Sequence, residues 1–295
     1  MQGMRRDRVN ARYLPAAAFP DQLIVESDLA AALTHCDDVL IAVPSHTFRQ
    51  VLTVINAHLR KDTRVAWATK GFELATGKLP FEVASEILGG RPLAVLSGPT
   101  FAKEVGAGLP TAMTVASQDG AFASRLARNL SGPTFRAYTQ ADIIGVEVGG
   151  AIKNVIAIAT GIADGVGYGA NTRVALITRG LAEMMRLGVK RGARRDTFMG
   201  LAGLGDLVLT CTDDQSRNRR FGVALGRGAT RSEAERGIGQ VVEGISAARA
   251  VSEVARTLRV DMPICTQVHR VVYESMPIKD AVLALMSREV RAEGD

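Results

Sequence analysis

A change of hydrophobic period near residue 140 constrains this chain more than any other feature. Ahead of it, short near-continuous apolar runs recur at 39–43 (VLIAV), 64–68 (RVAWA), 93–96 (LAVL) and 111–116 (TAMTVA), and a fifth strand is expected at 135–138. Continuous rather than alternating apolarity suits strands buried on both faces, as in parallel sheets covered by helices. Between these runs, 47–59 and 79–88 carry apolar residues at helical spacing. The alternation predicts an α/β architecture with a doubly wound sheet. After residue 140 no strand run recurs, and 151–162, 174–187, 232–237, 246–258 and 264–273 read as helices. Two domains are expected: a sheet domain over 1–140 and an all-α domain over 141–295.

Composition narrows the function classes. A chain of 295 residues can bury a core without disulfides or metals. Cys36, Cys211 and Cys265 make no CxxC or other metal spacing, and an odd number is a poor disulfide framework. No metal site and a reducing, cytoplasmic setting are therefore expected. The net charge of +6 suits a small anionic substrate as well as nucleic acid. None of the 9 Phe, 4 Tyr and 1 Trp is interleaved with basic residues as a base-stacking platform requires, so no nucleic-acid partner is expected. The longest run of apolar and small residues, 155–163, is far shorter than the ~20 residues of a membrane span, so no membrane insertion is expected. Arg5, Arg6 and Arg8 are followed by no apolar stretch, unlike a signal peptide.

Candidate chemistry lies at four places. Ligands of parallel α/β sheets bind beyond the carboxyl ends of the strands. The first three runs end in Pro44-Ser45-His46, Thr69-Lys70-Gly71 and Ser97-Gly98-Pro99-Thr100. Gly and Pro there are also ordinary turn punctuation. Lys70, a cation at the ligand edge, is more telling than His46 in a loop. Lys153 is the only charge between Glu147 and Asp164, with apolar residues on every helical face around it. It must snorkel, find a partner, or lose basicity. Asp206, the sole charge between Asp196 and Asp213, faces the same problem, because an unpaired buried carboxylate costs several kcal/mol. The two are natural partners, as a structural pin or as a proton-handling site, and position beside a cleft decides between these. Ser216, Arg217 and Asn218 combine hydroxyl, guanidinium and amide, suiting a phosphate or carboxylate, though a solvated basic turn has the same composition. The segment 165–170 (GVGYGA) fits the permissive GxGxxG/A pattern, but it follows a helix rather than a strand and fails as a dinucleotide fingerprint.

Taken in order, ATKGFE (68–73), SGPTFAKEV (97–105), GGAIKNVIAIATGIADGVGYGAN (149–171), GLAGLGDLVLTCTDDQSRNRRFG (200–222) and GQVVEG (239–244) resemble the signatures of bacterial NAD(P)-dependent sn-glycerol-3-phosphate dehydrogenases. The likeness runs from about Arg6 to Leu285. It implies a Rossmann-type parallel sheet domain followed by a helical substrate domain. It also implies reduction of dihydroxyacetone phosphate to sn-glycerol 3-phosphate with NADP or NAD as cofactor, feeding phospholipid synthesis. By resemblance, Lys153 exchanges the proton at the substrate C2 oxygen with Asp206 beside it. Lys70, Gly98 and Thr100 touch substrate, and Ser216, Arg217 and Asn218 hold its phosphate. Lys70, Ala102, Arg217, Val241 and Glu243 approach the cofactor. The implied partners are a small phosphorylated substrate and a second copy in a homodimer. A related hydroxy-acid dehydrogenase and a non-catalytic binding protein are the alternative readings.

The resemblance also implies, ahead of the position of Arg6, a strand, a glycine-rich turn, a helix and a second strand with no counterpart in these residues. The Rossmann-type domain is accordingly expected to be truncated, lacking its first βαβ unit and pyrophosphate cradle. The chain alone is then expected to bind NADPH weakly or not at all and to be prone to aggregate; titration giving a micromolar Kd or tighter would refute this.

Overall fold

The computed structural model describes residues 2–290 and Ala292. A short helix α1 (Gln2–Asp7) leads into an antiparallel hairpin, β1 (Val9–Asn10) and β2 (Leu14–Ala18), and then helix α2 (Leu29–Leu33). A five-stranded sheet follows: β3 (Asp38–Ile41), β4 (Arg64–Trp67), β5 (Leu93–Ser97), β6 (Thr111–Ala116) and β7 (Phe135–Gln140), in that spatial order. Helices α3 (Ser45–Asn56), α4 (Pro80–Leu88), α5 (Ala102–Gly106) and α6 (Gly120–Leu130) connect them. The five expected strands all form, and β5 is buried at every position, as continuous apolarity requires.

The sheet is not wholly parallel. β5 and β6 run antiparallel, with Ser97 opposite Thr114 and Val95 opposite Ala116. A parallel return needs a crossover that travels back along the strand. The link 98–110 holds only the five-residue α5 and stays at the edge where β5 ends, so β6 starts there and runs the other way.

Beyond Gln140 the described residues contain no strand. The helices are α7 (Ile143–Val166), α8 (Ala170–Lys190), α9 (Asp206–Thr212), α10 (Arg217–Gly226), α11 (Arg231–Ile238), α12 (Glu243–Leu258), α13 (Pro263–Tyr273) and α14 (Ile278–Met286). A 3-10 turn (Arg195–Met199) and a π-helical turn (Leu201–Gly205) lead into α9. α5, α6, α9, α10, α14, the N-terminal hairpin and its flanking short helices lie outside the elements expected from the sequence. α9 and α10 lie in segments rich in glycine and polar residues, and they are held by packing on α7.

α7 is the axis of the molecule. Ile143 and Val146 at its start belong to the apolar cluster under the sheet, with Trp67, Val83 and Val95. From Val148 to Ile162 its side chains form the centre of the helical core. Asp142 caps it by accepting from Gly145 N at 2.8 Å, and Gly167, at φ +95°, ends it. The GVGYGA segment is therefore a helix-to-helix turn. Among the described residues, α7 alone is long and apolar enough (mean hydropathy 1.5) to cross a membrane, but 83% of that window is buried inside the fold. The run 155–163 underestimates it, because Lys153 and Asn154 are carried inward with the apolar residues.

α10 crosses α7 with backbone against backbone. A Cβ on Gly161 would run into the carbonyl of Arg219, and one on Gly222 into the carbonyl of Ile158. This contact sets the height of Ser216 and Arg217 relative to Lys153. Gly222→Ala is expected to cost about 1–3 kcal/mol by overpacking, read as a lower urea midpoint.

Candidate active site

Burial of α7 on all sides forces its one central cation to find a partner. Lys153 Nζ donates to Asp206 Oδ1 at 2.5 Å, and Lys70 Nζ donates to Asp206 Oδ2 at 2.7 Å. Asp206 is the first residue of α9, delivered by the preceding π-helical turn, and Lys70 lies three residues past the end of β4. Thr210, one turn further along α9, donates its hydroxyl to the Asp206 carbonyl at 2.6 Å. The carboxylate side chain is 2% exposed, Lys153 11% and Lys70 18%, so the acid is sealed, Lys153 is buried beside it and Lys70 is part-buried.

The electrostatics follow from this triad. Burial, and then the charge of Lys70, lower the Lys153 pKa to about 8, against the opposing pull of Asp206. Burial pushes the Asp206 carboxyl upward, but the charges of Lys70 and Lys153 outweigh it and hold the group below its ordinary value. An anionic Asp206 beside a lysine titrating near neutrality can orient a group that both gives and takes a proton.

Gly98 ends β5 at φ +151°, where a Cβ would meet Met113 Cα at 3.0 Å. Only glycine lets the chain turn there. The Thr100 hydroxyl donates to the Gly98 carbonyl at 3.3 Å, and Ala102 opens α5. Because β4 and β5 are parallel neighbours, this turn lies at the same sheet edge as Lys70.

Ser216 caps α10, accepting from Arg219 N at 3.2 Å. Below it, Arg219 Nη2 donates to Asp164 Oδ2 at 2.7 Å, tying this helix start to α7. Arg217 donates to Gln240 Oε1 at 3.2 Å. Asn218 accepts from Gly244 N at 2.8 Å and donates to Asn154 Oδ1 at 2.8 Å. Through Asn154, the residue after Lys153, the putting together of α7, α10 and α12 reaches the lysine itself. Asn154, Thr210 and Gln240 were not anticipated from sequence. Asn154 sits beside Lys153 in the same apolar stretch and Thr210 four residues after Asp206, which are usable signals; Gln240 carries none.

A cleft of about 1010 Å³ extends from Ser45 and His46, after β3, and Phe72, after β4, to Gln240 and Val241. Of the residues expected at the cofactor, Val241 is in its wall, and Gln240 joins that wall to Arg217. Lys70, Ala102, Arg217 and Glu243 do not line it. A second cavity of 510 Å³ lies between α8, α13 and α14 and is lined by none of the residues named so far in the site.

Sequence profiles described as NAD-dependent glycerol-3-phosphate dehydrogenase N-terminus and C-terminus match residues 1–123 and 142–283. The glycerol-3-phosphate dehydrogenase [NAD(P)+] of Erwinia tasmaniensis is 55% identical over 294 residues, which is 99% of this chain and 87% of that protein. The crystal structure of glycerol-3-phosphate dehydrogenase from Coxiella burnetii superposes with a TM-score of 0.94 at 47% identity, covering 97% of this chain and 88% of that one. The Saccharomyces cerevisiae enzyme superposes with a TM-score of 0.85 at 26% identity, covering 96% and 85%.

Asp206→Asn would remove the shared partner of the buried Lys153 and the part-buried Lys70. We expect a loss of about 3–5 kcal/mol in stability by urea denaturation. The Lys153 pKa should also fall below about 8 in lysine NMR titration, because the carboxylate is the group that holds it up.

Proposed function

The chain belongs to the NAD-dependent glycerol-3-phosphate dehydrogenase family, and from that premise we propose that Lys153 is the proton donor in its reaction. The reaction is reduction of dihydroxyacetone phosphate to sn-glycerol 3-phosphate with NAD(P)H, and the product feeds glycerophospholipid synthesis. The observation that carries the assignment is one buried carboxylate, Asp206, bonded by Lys153 and Lys70 at the ligand edge of the sheet.

The cleft suits one half of a nicotinamide dinucleotide. The cleft lies beyond the carboxyl ends of β3 and β4, where such ligands bind, and is large enough for one half of the molecule. The bound cofactor supplies the hydride. The chain's own groups do the rest. Lys153 gives its proton to the C2 oxygen as charge develops there, and the neighbouring Lys70 ammonium adds positive potential at that atom. Asp206 keeps the Lys153 ammonium aimed and charged until the substrate arrives. Gly98 and Thr100 meet the substrate from the turn after β5. Ser216, Arg217 and Asn218 hold the phosphate at the start of α10, where helix N–H groups favour an anion. Asn218 retains one amide N–H for it after bonding Asn154. In the same reading Lys70, Ala102, Arg217, Val241 and Glu243 border the cofactor. Residues 1–140 are read as the cofactor domain and 141–295 as the substrate domain, with the site drawing on residues of both. A cytoplasmic setting is supported by three free cysteines. A homodimer completes the reading, and light scattering tests it.

Three measurements test these roles. Lys153→Ala should lower kcat by ~100-fold or more, and a parental kcat would remove the proton donor. The donor must be protonated for reduction, so reduction should weaken as pH rises through about 8, while oxidation of glycerol 3-phosphate should strengthen over the same range. Arg217→Ala should raise KM for dihydroxyacetone phosphate by ~10-fold or more, through loss of a charged hydrogen bond, and leave phosphate-free dihydroxyacetone unaffected. Equal weakening of both substrates would show that Arg217 does not read phosphate.

A further inference from the structure

Glu147 is a buried acid that the proposed chemistry does not use. It lies on α7 at 4% exposure, six residues before Lys153. Its Oε1 accepts from the indole Nε1 of Trp67 at 2.8 Å, and both carboxylate oxygens lie 3.1 Å from the backbone N–H of Phe81. Trp67 is the last residue of β4, three before Lys70; Phe81 is the second residue of α4. One carboxylate thus joins the helix that carries Lys153, the strand that delivers Lys70, and the start of the helix after that strand.

The path between these bonds and the triad is continuous. At Gly150, midway between Glu147 and Lys153, a Cβ would lie 3.3 Å from Lys70 Cδ. The Lys70 stem therefore runs along α7 while Trp67 is bonded to it one turn earlier. Chain 67–70 and helix 147–153 lie side by side, joined at one end by the Glu147–Trp67 bond and at the other by Asp206. We propose that Glu147 is a positioning residue for this reaction, fixing the end of β4 against α7 and so setting Lys70 against Lys153.

This rests on the reading of Lys153 as proton donor, but it concerns a different bond. Asp206 reaches Lys153 through the packing of α9 on α7, which does not involve β4. Of the two lysines, the Glu147 clamp bears on Lys70, through the end of β4. The charged groups facing Glu147 are Glu82 on α4 and Arg191 at the end of α8, which pair with each other. Burial raises the Glu147 pKa to about 8 in spite of its donors, so this acid is held at an energetic cost that a purely apolar contact would avoid.

The test compares Glu147→Leu, which removes both acceptor oxygens at similar volume, with Trp67→Phe, which removes only the indole N–H. Each is measured by steady-state kinetics and by NMR titration of labelled lysine, a readout that needs no turnover. The proposal expects kcat to fall ~10-fold with KM changing little, as a displaced charge near the reacting atom would cause. It also expects the Lys153 midpoint to rise from about 8 toward the ordinary lysine value, because the nearby Lys70 charge that depresses it has moved away. The double variant should be no worse than the single ones. Folded variants with lower Tm but unchanged kcat and Lys153 midpoint would overturn the proposal, leaving Glu147 a structural residue. If Glu147→Leu does not fold, Trp67→Phe decides by the same two readouts. A parental kcat in Lys153→Ala overturns the donor assignment instead, and leaves the NMR test of the clamp standing.

Discussion

Everything at this site depends on one carboxylate removed from water between two ammonium groups. Asp206 is almost wholly buried, and its two oxygens are taken by residues from opposite halves of the chain, Lys70 after β4 and Lys153 on α7. Burying a charge is costly unless it is paired and hydrogen-bonded. The pairing here works only if the sheet and the helical body are docked in one relative position. The triad therefore acts as both a chemical group and a seam.

α7 makes that docking possible. Its first turns pack under the sheet with Trp67 and Val83, while its later turns form the centre of the helical core. A helix that leaves one core and enters another without a break transmits position better than a loop. The glycine contact with α10 extends the same logic to the phosphate end, since backbone against backbone leaves little freedom for sliding. The hydrogen bonds of Asn218 to Asn154 and to Gly244 N then tie α12 to the same axis.

The balance within the triad also explains why a lysine rather than a histidine can serve near neutral pH. Desolvation and a second ammonium draw Lys153 down to about 8, and Asp206 prevents a further fall. Removing either influence would leave the group too basic to release a proton or too weak to carry one. Its basicity is thus a property of three residues brought together from positions 70, 153 and 206.

Much of this was legible in the chain. Four near-continuous apolar runs and a fifth, mixed segment announced five strands, and the loss of that rhythm after residue 140 announced a helical body; the mark is clearest at β5, which is buried at every position. Lys153 and Asp206 stood out as lone charges in apolar surroundings, where an unpaired charge is too costly to persist, so their meeting could be anticipated. Tertiary structure decided the rest. It turned β6 antiparallel, since a short link at one edge cannot cross back. It made helices of glycine-rich segments through contact with α7, against their local preference. It also brought Lys70 onto the free oxygen of Asp206 and Glu147 onto Trp67, two bonds between residues 136 and 80 apart in sequence. Such contacts leave no periodic mark in a chain, because they depend on which surfaces come to face each other once the cores have formed.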